Sequence, residues 1–354
     1  MWNHEMSLST WVAMGLLIPC LTGCGAKYDL YGQQVKRADD LSVQGQQSLS
    51  QGNLTKASKD FSRALDTSRS IDYSCGVAQQ LNNLGAVALE QGDLAKAKRL
   101  FTQAWEINQD RQHWSDGSVN QANLATVAQK AGGWGEAAEH LQLAQDAAQR
   151  SRDKTAQGRV LIRWASFYLD QQNPASAAAS LEQARKLANT SSLRGALAYQ
   201  RGRLFMTQGN TSEAMPSFCQ ALFFDRKILD RAAMAADLFS LGEAHQLRGE
   251  MSQAWEYFSR AFDVYASMGK KAQSSRCLAR LASGLVTLLV AKRAGTGIAQ
   301  VLERVGGAMA VSPFNLHSCA GGYIHVHRLG INIERHSFSI AWRRPSLPNL
   351  LRLL

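Results

Sequence analysis

The chain has 354 residues, 45% of them hydrophobic and 19% charged, with a formal net charge of +11. That length could hold two ordinary domains, but one internally repeated region fills most of it with no linker. No Gly-x-Ser-x-Gly, His-Glu-x-x-His, Cys-x-x-Cys or phosphate-cradling glycine-rich loop occurs, so the chemistries those motifs carry have no carrier here. The positive excess is not spread evenly. From Val290 onward eight basic residues face two acids, which contributes +6, while the region before it mixes both signs. Such a distribution reads as solvating charge and not as a nucleic-acid surface.

The first 24 residues stand apart. Trp11 to Pro19 is an apolar run of nine, followed by Cys20 and Leu21-Thr22-Gly23-Cys24. A membrane-spanning helix needs about 20 apolar residues, so residues 1–23 read as a signal peptide. Leu-Thr-Gly-Cys resembles the bacterial lipobox. That resemblance implies cleavage before Cys24, a diacylglyceryl thioether on its sulfur, and, with Gly25 next, sorting to the outer membrane facing the periplasm. Residues 24–37 would then form a tether. Against this, Met1 to Thr10 holds no Lys or Arg, and a start at Met6 would add none.

From residue 38 a repeat takes over. Gly45, Gly85, Ala125, Ala165, Gly202 and Gly242 are spaced by 40, 40, 40, 37 and 40 residues. Twelve residues after each anchor stands an alanine (Ala57, Ala97, Ala137, Ala177, Ala214, Ala254). Four further on comes Phe61, Phe101, Leu141, Leu181, Phe218 or Phe258, and three beyond that another alanine. Residues three and four apart share a helical face, so this series predicts a helix packed on the small anchor of the helix before it. Gly52, Gly92, Gly132, Gly209 and Gly249 supply the turn between the two. The fourth copy has Gln172-Asn173-Pro174 instead, and proline fits the first turn of a helix. One helix pair cannot bury its apolar stripe alone, whereas stacked pairs share a continuous core. The predicted fold is all-α: a solenoid of six pairs over residues 38–292, with a degenerate seventh unit around Leu278, Leu281 and Ala282.

The series Leu81-x2-Leu84-Gly85…Ala97-x3-Phe101-x2-Ala104 resembles the tetratricopeptide repeat (TPR), and Leu81-Asn82-Asn83-Leu84 resembles the signature of its longer kinesin-light-chain form. The likeness spans residues 38 to about 271. It is incomplete. No proline closes the second helix, the tyrosine three after the anchor stands only at Tyr168, and the step is near 40 where 34 is usual. The resemblance implies a right-handed superhelix whose first helices line a concave groove. Two residues before each anchor stand Val43, Asn83, Asn123, Arg163, Gln200, Ser240 and, in the last unit, Arg280. By that resemblance Asn82, Asn83, Asn123, Arg159, Arg163, Tyr199, Gln200, Arg203 and Phe239 form a peptide-binding set. An amide offers donors and an acceptor to any peptide bond, and an arginine fork suits a carboxylate. An acidic segment or a free C-terminus fits such a face. Tyr199 and Phe239 equally fit packing between helices.

Toward the C-terminus, Leu281 to Val290 is apolar on nearly every side, where a capping helix would show water a polar face. Residues 293–354 read as a basic tail in which Tyr323 to His327 alternates like a strand with no evident partner. His317, Cys319, His325, His327 and His336 are residue types that ligate zinc, but their spacing matches no familiar site. No metal, cofactor or nucleic-acid partner is expected. Cys75, Cys219, Cys277 and Cys319 show no paired spacing and read as free thiols.

The sequence therefore describes a non-enzymatic protein–protein interaction scaffold, lipid-anchored in the bacterial envelope and holding an extended peptide in its groove. The alternative is a soluble cytoplasmic regulatory or adaptor protein with a misassigned start. Metabolic labelling with palmitate separates the two: label is expected on the wild type and lost in Cys24→Ala, and an unlabelled wild type selects the cytoplasmic alternative.

Overall fold

The computed structural model describes residues 29–293 together with 316–319, 323–326 and 331–333. Thirteen helices follow one another: α1 (Leu30–Ser50), α2 (Leu54–Ser70), α3 (Ser74–Gln91), α4 (Leu94–Asp110), α5 (Trp114–Lys130), α6 (Trp134–Ser151) and α7 (Lys154–Asp170), then α8 (Pro174–Leu187), α9 (Ser191–Thr207), α10 (Thr211–Lys227), α11 (Arg231–Leu247), α12 (Met251–Ser267) and α13 (Lys271–Arg293). They pack as six consecutive pairs, α1 with α2 through α11 with α12, and α13 adds the first helix of a seventh unit. The region from Asp39 to Gly269 is helical throughout apart from its turns. Among the described residues no helix is long and apolar enough to cross a membrane.

One boundary and one strand differ from the sequence reading. Residues 30–37, allotted there to a tether, are the opening turns of α1, and the Asp29 side chain caps that helix by accepting from the Gly32 amide at 2.8 Å. Tyr323–Val326 does find partners. It is the middle strand, β2, of an antiparallel sheet, between β1 (Leu316–Cys319) and β3 (Ile331–Ile333). The signal segment, Cys24 and the rest of the basic tail lie outside the described residues.

The turns follow from local chemistry. Each pair-closing glycine takes a left-handed φ, from 75° at Gly209 to 81° at Gly92 and Gly132, and Gln172 takes the same turn at 56°. Asn53, Asp93, Asn173 and Asn210 then cap the second helix, their side chains accepting from the amides of Lys56, Lys96, Ser176 and Glu213. These bonds satisfy amides that have no partner within the helix.

The core is a row of anchor contacts. A Cβ on Gly45, Gly85, Gly202 or Gly242 would stand 2.6, 2.7, 2.5 or 2.7 Å from the ring of Phe61, Phe101, Phe218 or Phe258 respectively. These rings are buried, as are Leu141 and Leu181, which occupy the same place beneath Ala125 and Ala165. Glycine therefore goes with phenylalanine and alanine with leucine, which holds the summed volume nearly constant.

Successive first helices also lie against one another, α1 on α3, α3 on α5, α5 on α7 and α7 on α9, more closely than successive second helices do. The array therefore curves toward its first helices. It completes a turn: the Gly52 turn of the first pair meets the backbone of Met268 and Gly269 after the sixth, and Lys270 pairs with Glu90 at the end of α3.

The volume rule is testable in pair two. Gly85→Ala alone overpacks and is expected to cost about 1–3 kcal/mol. Phe101→Leu alone is expected to cost roughly 1–2 kcal/mol through the void it leaves. The double variant copies pair three, so its loss should fall well short of the sum, as chemical denaturation of all four proteins would show.

Candidate binding groove

The polar ladder runs along the first helices, which lie on the inner side of the curve, but its residues differ in their surroundings. Arg159 and Arg163, one turn apart on α7, are both exposed, and among the described residues neither has an ion-pair partner. Surrounding protein lowers the pKa of the Arg163 guanidinium, and the like charge of Arg159 lowers it further. The side chain is open to water, yet enough protein lies near it to make its charged form less favourable. Two cations without a counterion there form an anion-attracting point.

The amides of the ladder are engaged between repeats. Asn82 Oδ1 accepts from Asn120 Nδ2 at 3.0 Å and Asn123 Nδ2 at 2.9 Å. Asn83 Nδ2 donates to Gln80 Oε1 at 3.2 Å and Ser42 Oγ at 3.4 Å. Arg203 is held by the preceding pair, donating to Ser166 Oγ at 3.1 Å and Asp170 Oδ1 at 2.6 Å, and also to Gln200 Oε1 at 3.1 Å. Asn82, Asn83, Asn123, Gln200 and Arg203 are half-buried, so they register neighbouring repeats while staying partly open to solvent.

The two aromatic members serve packing. Tyr199 lies tilted on Phe218 with ring centroids 5.8 Å apart. Phe239 is buried, 5.3 Å from the Phe258 ring, and its outer face is covered by the Arg276 guanidinium at 4.8 Å. Ser240 is likewise buried.

Sequence reasoning overlooked a set of buried amides behind the groove. Asn120, 2% exposed, accepts from Asn108 Nδ2 at 2.7 Å while donating to Asn82, and buried Gln121 meets His140 Nδ1 at 2.7 Å. The signal was present: Gln80, Asn120 and Asp237 stand at the same place, five residues before an anchor.

Other candidate chemistry resolves into repeat-to-repeat bridges. Cys75 Sγ lies 3.3 Å from His113 Nδ1, and Ser115 donates to Asp153 Oδ2 at 3.0 Å across the same 38-residue step. Burial, followed by the charge of Asp116, raises the Cys75 pKa, so this thiol is neutral at physiological pH. In the tail, the strand register sets His317 opposite His325, while His327 and His336 lie outside the described residues.

No family model matches the sequence, and no curated protein matches it either. Solved structures do match in fold. The apo form of RapI superposes with a TM-score of 0.52 at 14% identity, over 67% of this chain and 85% of that one. A Rap protein complexed with Competence and Sporulation Factor gives 0.51 at 11% identity, over 71% and 75%. A signal transduction ATPase with numerous domains and a tetratricopeptide repeat sensor, from Pyrococcus horikoshii, gives 0.50 at 15% identity; the match covers 74% of this chain but only 40% of that protein. At such identities the likeness is one of fold, that of a TPR-type helical solenoid.

One buried pair makes the fold pH-sensitive. Asp225 on α10 and Asp237 on α11 repeat the twelve-residue spacing of Asn108 and Asn120, and both are buried. With both carboxyls ionised neither oxygen of Asp237 has a donor among the described residues, and the two groups can bond each other only by keeping a proton. Burial raises both pKa values, and the neighbouring Asp225 charge, with Asp230 behind it, raises Asp237 further. The folded state then binds more protons than the unfolded chain above the ordinary carboxylate pKa, so stability must fall as pH climbs through the folded values. Asp237→Asn, which supplies an amide donor to Asp225, is expected to gain on the order of 1–3 kcal/mol at pH 8 and almost nothing at pH 4. Denaturation midpoints across that range test it.

Proposed function

We propose that this chain is a non-enzymatic scaffold that receives an extended acidic protein segment in the hollow of its superhelix, with carboxylates of the segment on Arg159 and Arg163. The observation that carries the reading is the pair itself: two adjacent guanidiniums, open to water and with no ion-pair partner among the described residues. Three further arginines of the first helices are engaged by neighbouring side chains. Arg203 holds Asp170, Arg280 holds Glu243 and Arg276 covers Phe239. A fold of this type with a bound factor, the Rap protein with Competence and Sporulation Factor, lends support at the level of architecture.

Asn82, Asn83, Asn123 and Gln200 border the path such a segment would take, and their remaining hydrogen-bonding capacity suits a peptide backbone. Tyr199 and Phe239 belong to the packing beneath it. Attachment to the envelope through Cys24 remains part of the proposal and rests on the lipobox-like pattern alone.

Fluorescence anisotropy with a fluorescein-labelled hexaglutamate peptide tests the site. Charge-assisted hydrogen bonds contribute roughly 1.5–3 kcal/mol each, so Arg159→Ala/Arg163→Ala is expected to weaken binding by at least about tenfold with little change in melting temperature. Equal affinity of the variant and the parent would sink the assignment.

A further inference from the structure

The two ends of the array meet at a place that no single repeat requires. Gly52, Gly92, Gly132, Gly209 and Gly249 close equivalent turns with nearly the same left-handed φ. At Gly92, Gly132, Gly209 and Gly249 a Cβ would stand in open space, but at Gly52 it would overlap the carbonyl oxygen of Met268. Met268 itself is 2% exposed, whereas Ile228, at the same position one pair earlier, is 43% exposed. Two residues on, the Lys270 side chain is 15% exposed and pairs with Glu90, 180 residues away in the chain. Backbone contact, apolar burial and an ion pair thus converge on one seam between the first two pairs and the end of the sixth.

We infer that this seam is a clasp, closing the superhelix around the Arg159–Arg163 point and governing how an anionic segment reaches it. The inference rests on the hollow being the binding site. Pair four, which carries the two arginines, stands about midway around the turn from the seam. With the clasp closed, a long segment can enter only along the superhelix axis. With it parted, the segment can pass sideways between the first and sixth pairs. Repeats of a solenoid otherwise touch only their neighbours, so parting this contact unfolds none of them.

Matched substitutions test the clasp. Gln172 already occupies the turn position at φ 56°, so Gly52→Gln and Gly92→Gln impose similar local strain, but only the former meets Met268. Glu90→Lys breaks the ion pair, and Glu90→Lys/Lys270→Glu restores it with the charges exchanged. Three readouts apply: radius of gyration by X-ray scattering, hydrogen exchange at 268–270, and the association rate of fluorescein-labelled hexaglutamate. In Gly52→Gln and Glu90→Lys the radius should grow, exchange at the seam should quicken, and association should accelerate by about fivefold. Gly92→Gln and the charge-swapped protein should match the parent. The clasp is overturned if Gly92→Gln behaves like Gly52→Gln, or if neither opening variant changes radius or exchange. Gating is overturned if the ring opens but association does not change. Absence of probe binding to the parent removes the groove reading and the gate with it, while scattering and exchange still report on the seam.

Discussion

The fold depends on one contact made six times: a small anchor on the first helix of a pair against a large apolar side chain on the second. Its geometry explains why the anchor is small. A single added carbon at Gly85 would stand 2.7 Å from the Phe101 ring, inside any tolerable separation. Because the contact fixes how far apart the two helices lie, it sets the shape of each pair, and the stacking of identical shapes sets the curve. Exchange of glycine–phenylalanine for alanine–leucine in pairs three and four preserves that distance with different residues. The rule is therefore one of combined volume, which close-packed interiors impose.

This is also why the fold was legible in the sequence while much of the site was not. Anchors, alanines, large residues and turn glycines recur in every copy, so repetition makes each position visible. Polar residues obey no such rule. Asn83 and Arg163 hold the same place in their repeats, yet one bonds Gln80 and Ser42 while the other has no partner among the described residues. Phe239 shares its place with Asn82, and there the helix turns an aromatic ring inward beneath Arg276. Which role a ladder position takes depends on residues about 40 positions away, and periodicity alone does not report them. The closing seam was hidden for the same reason, since Glu90 and Lys270 look like ordinary surface charges.

Buried polar residues at the repeat junctions show the same position solved in different ways. Between pairs two and three, Asn108 donates to Asn120, a neutral bond between complementary groups. Between pairs five and six the corresponding residues are Asp225 and Asp237, which can be accommodated only by retaining a proton that free carboxylates would release. One spacing therefore gives a pH-indifferent junction in the first half of the array and a pH-dependent one in the second. The second junction adjoins the sixth pair, whose far end forms the seam.

Closure within six pairs needs a bend, and the bend is uneven. Pair four departs from the others by its 37-residue step, and its second helix, α8, has 14 residues where other second helices have 17 or 18. Around it the inner helices α7 and α9 lie closest of all successive first helices, while the outer junctions of α6 with α7 and α8 with α9 are the sparsest. An outer cleft of about 270 Å³ opens here among Gln149, Gln157, Val160 and Lys186. Inner helices drawn together and outer helices splayed apart are what a locally sharper curve requires. Arg159 and Arg163 stand on the first helix of pair four, which is in keeping with the nearby protein that lowers the Arg163 pKa. The missing helical turn and the paired arginines then act together: one tightens the hollow where the other supplies its charge.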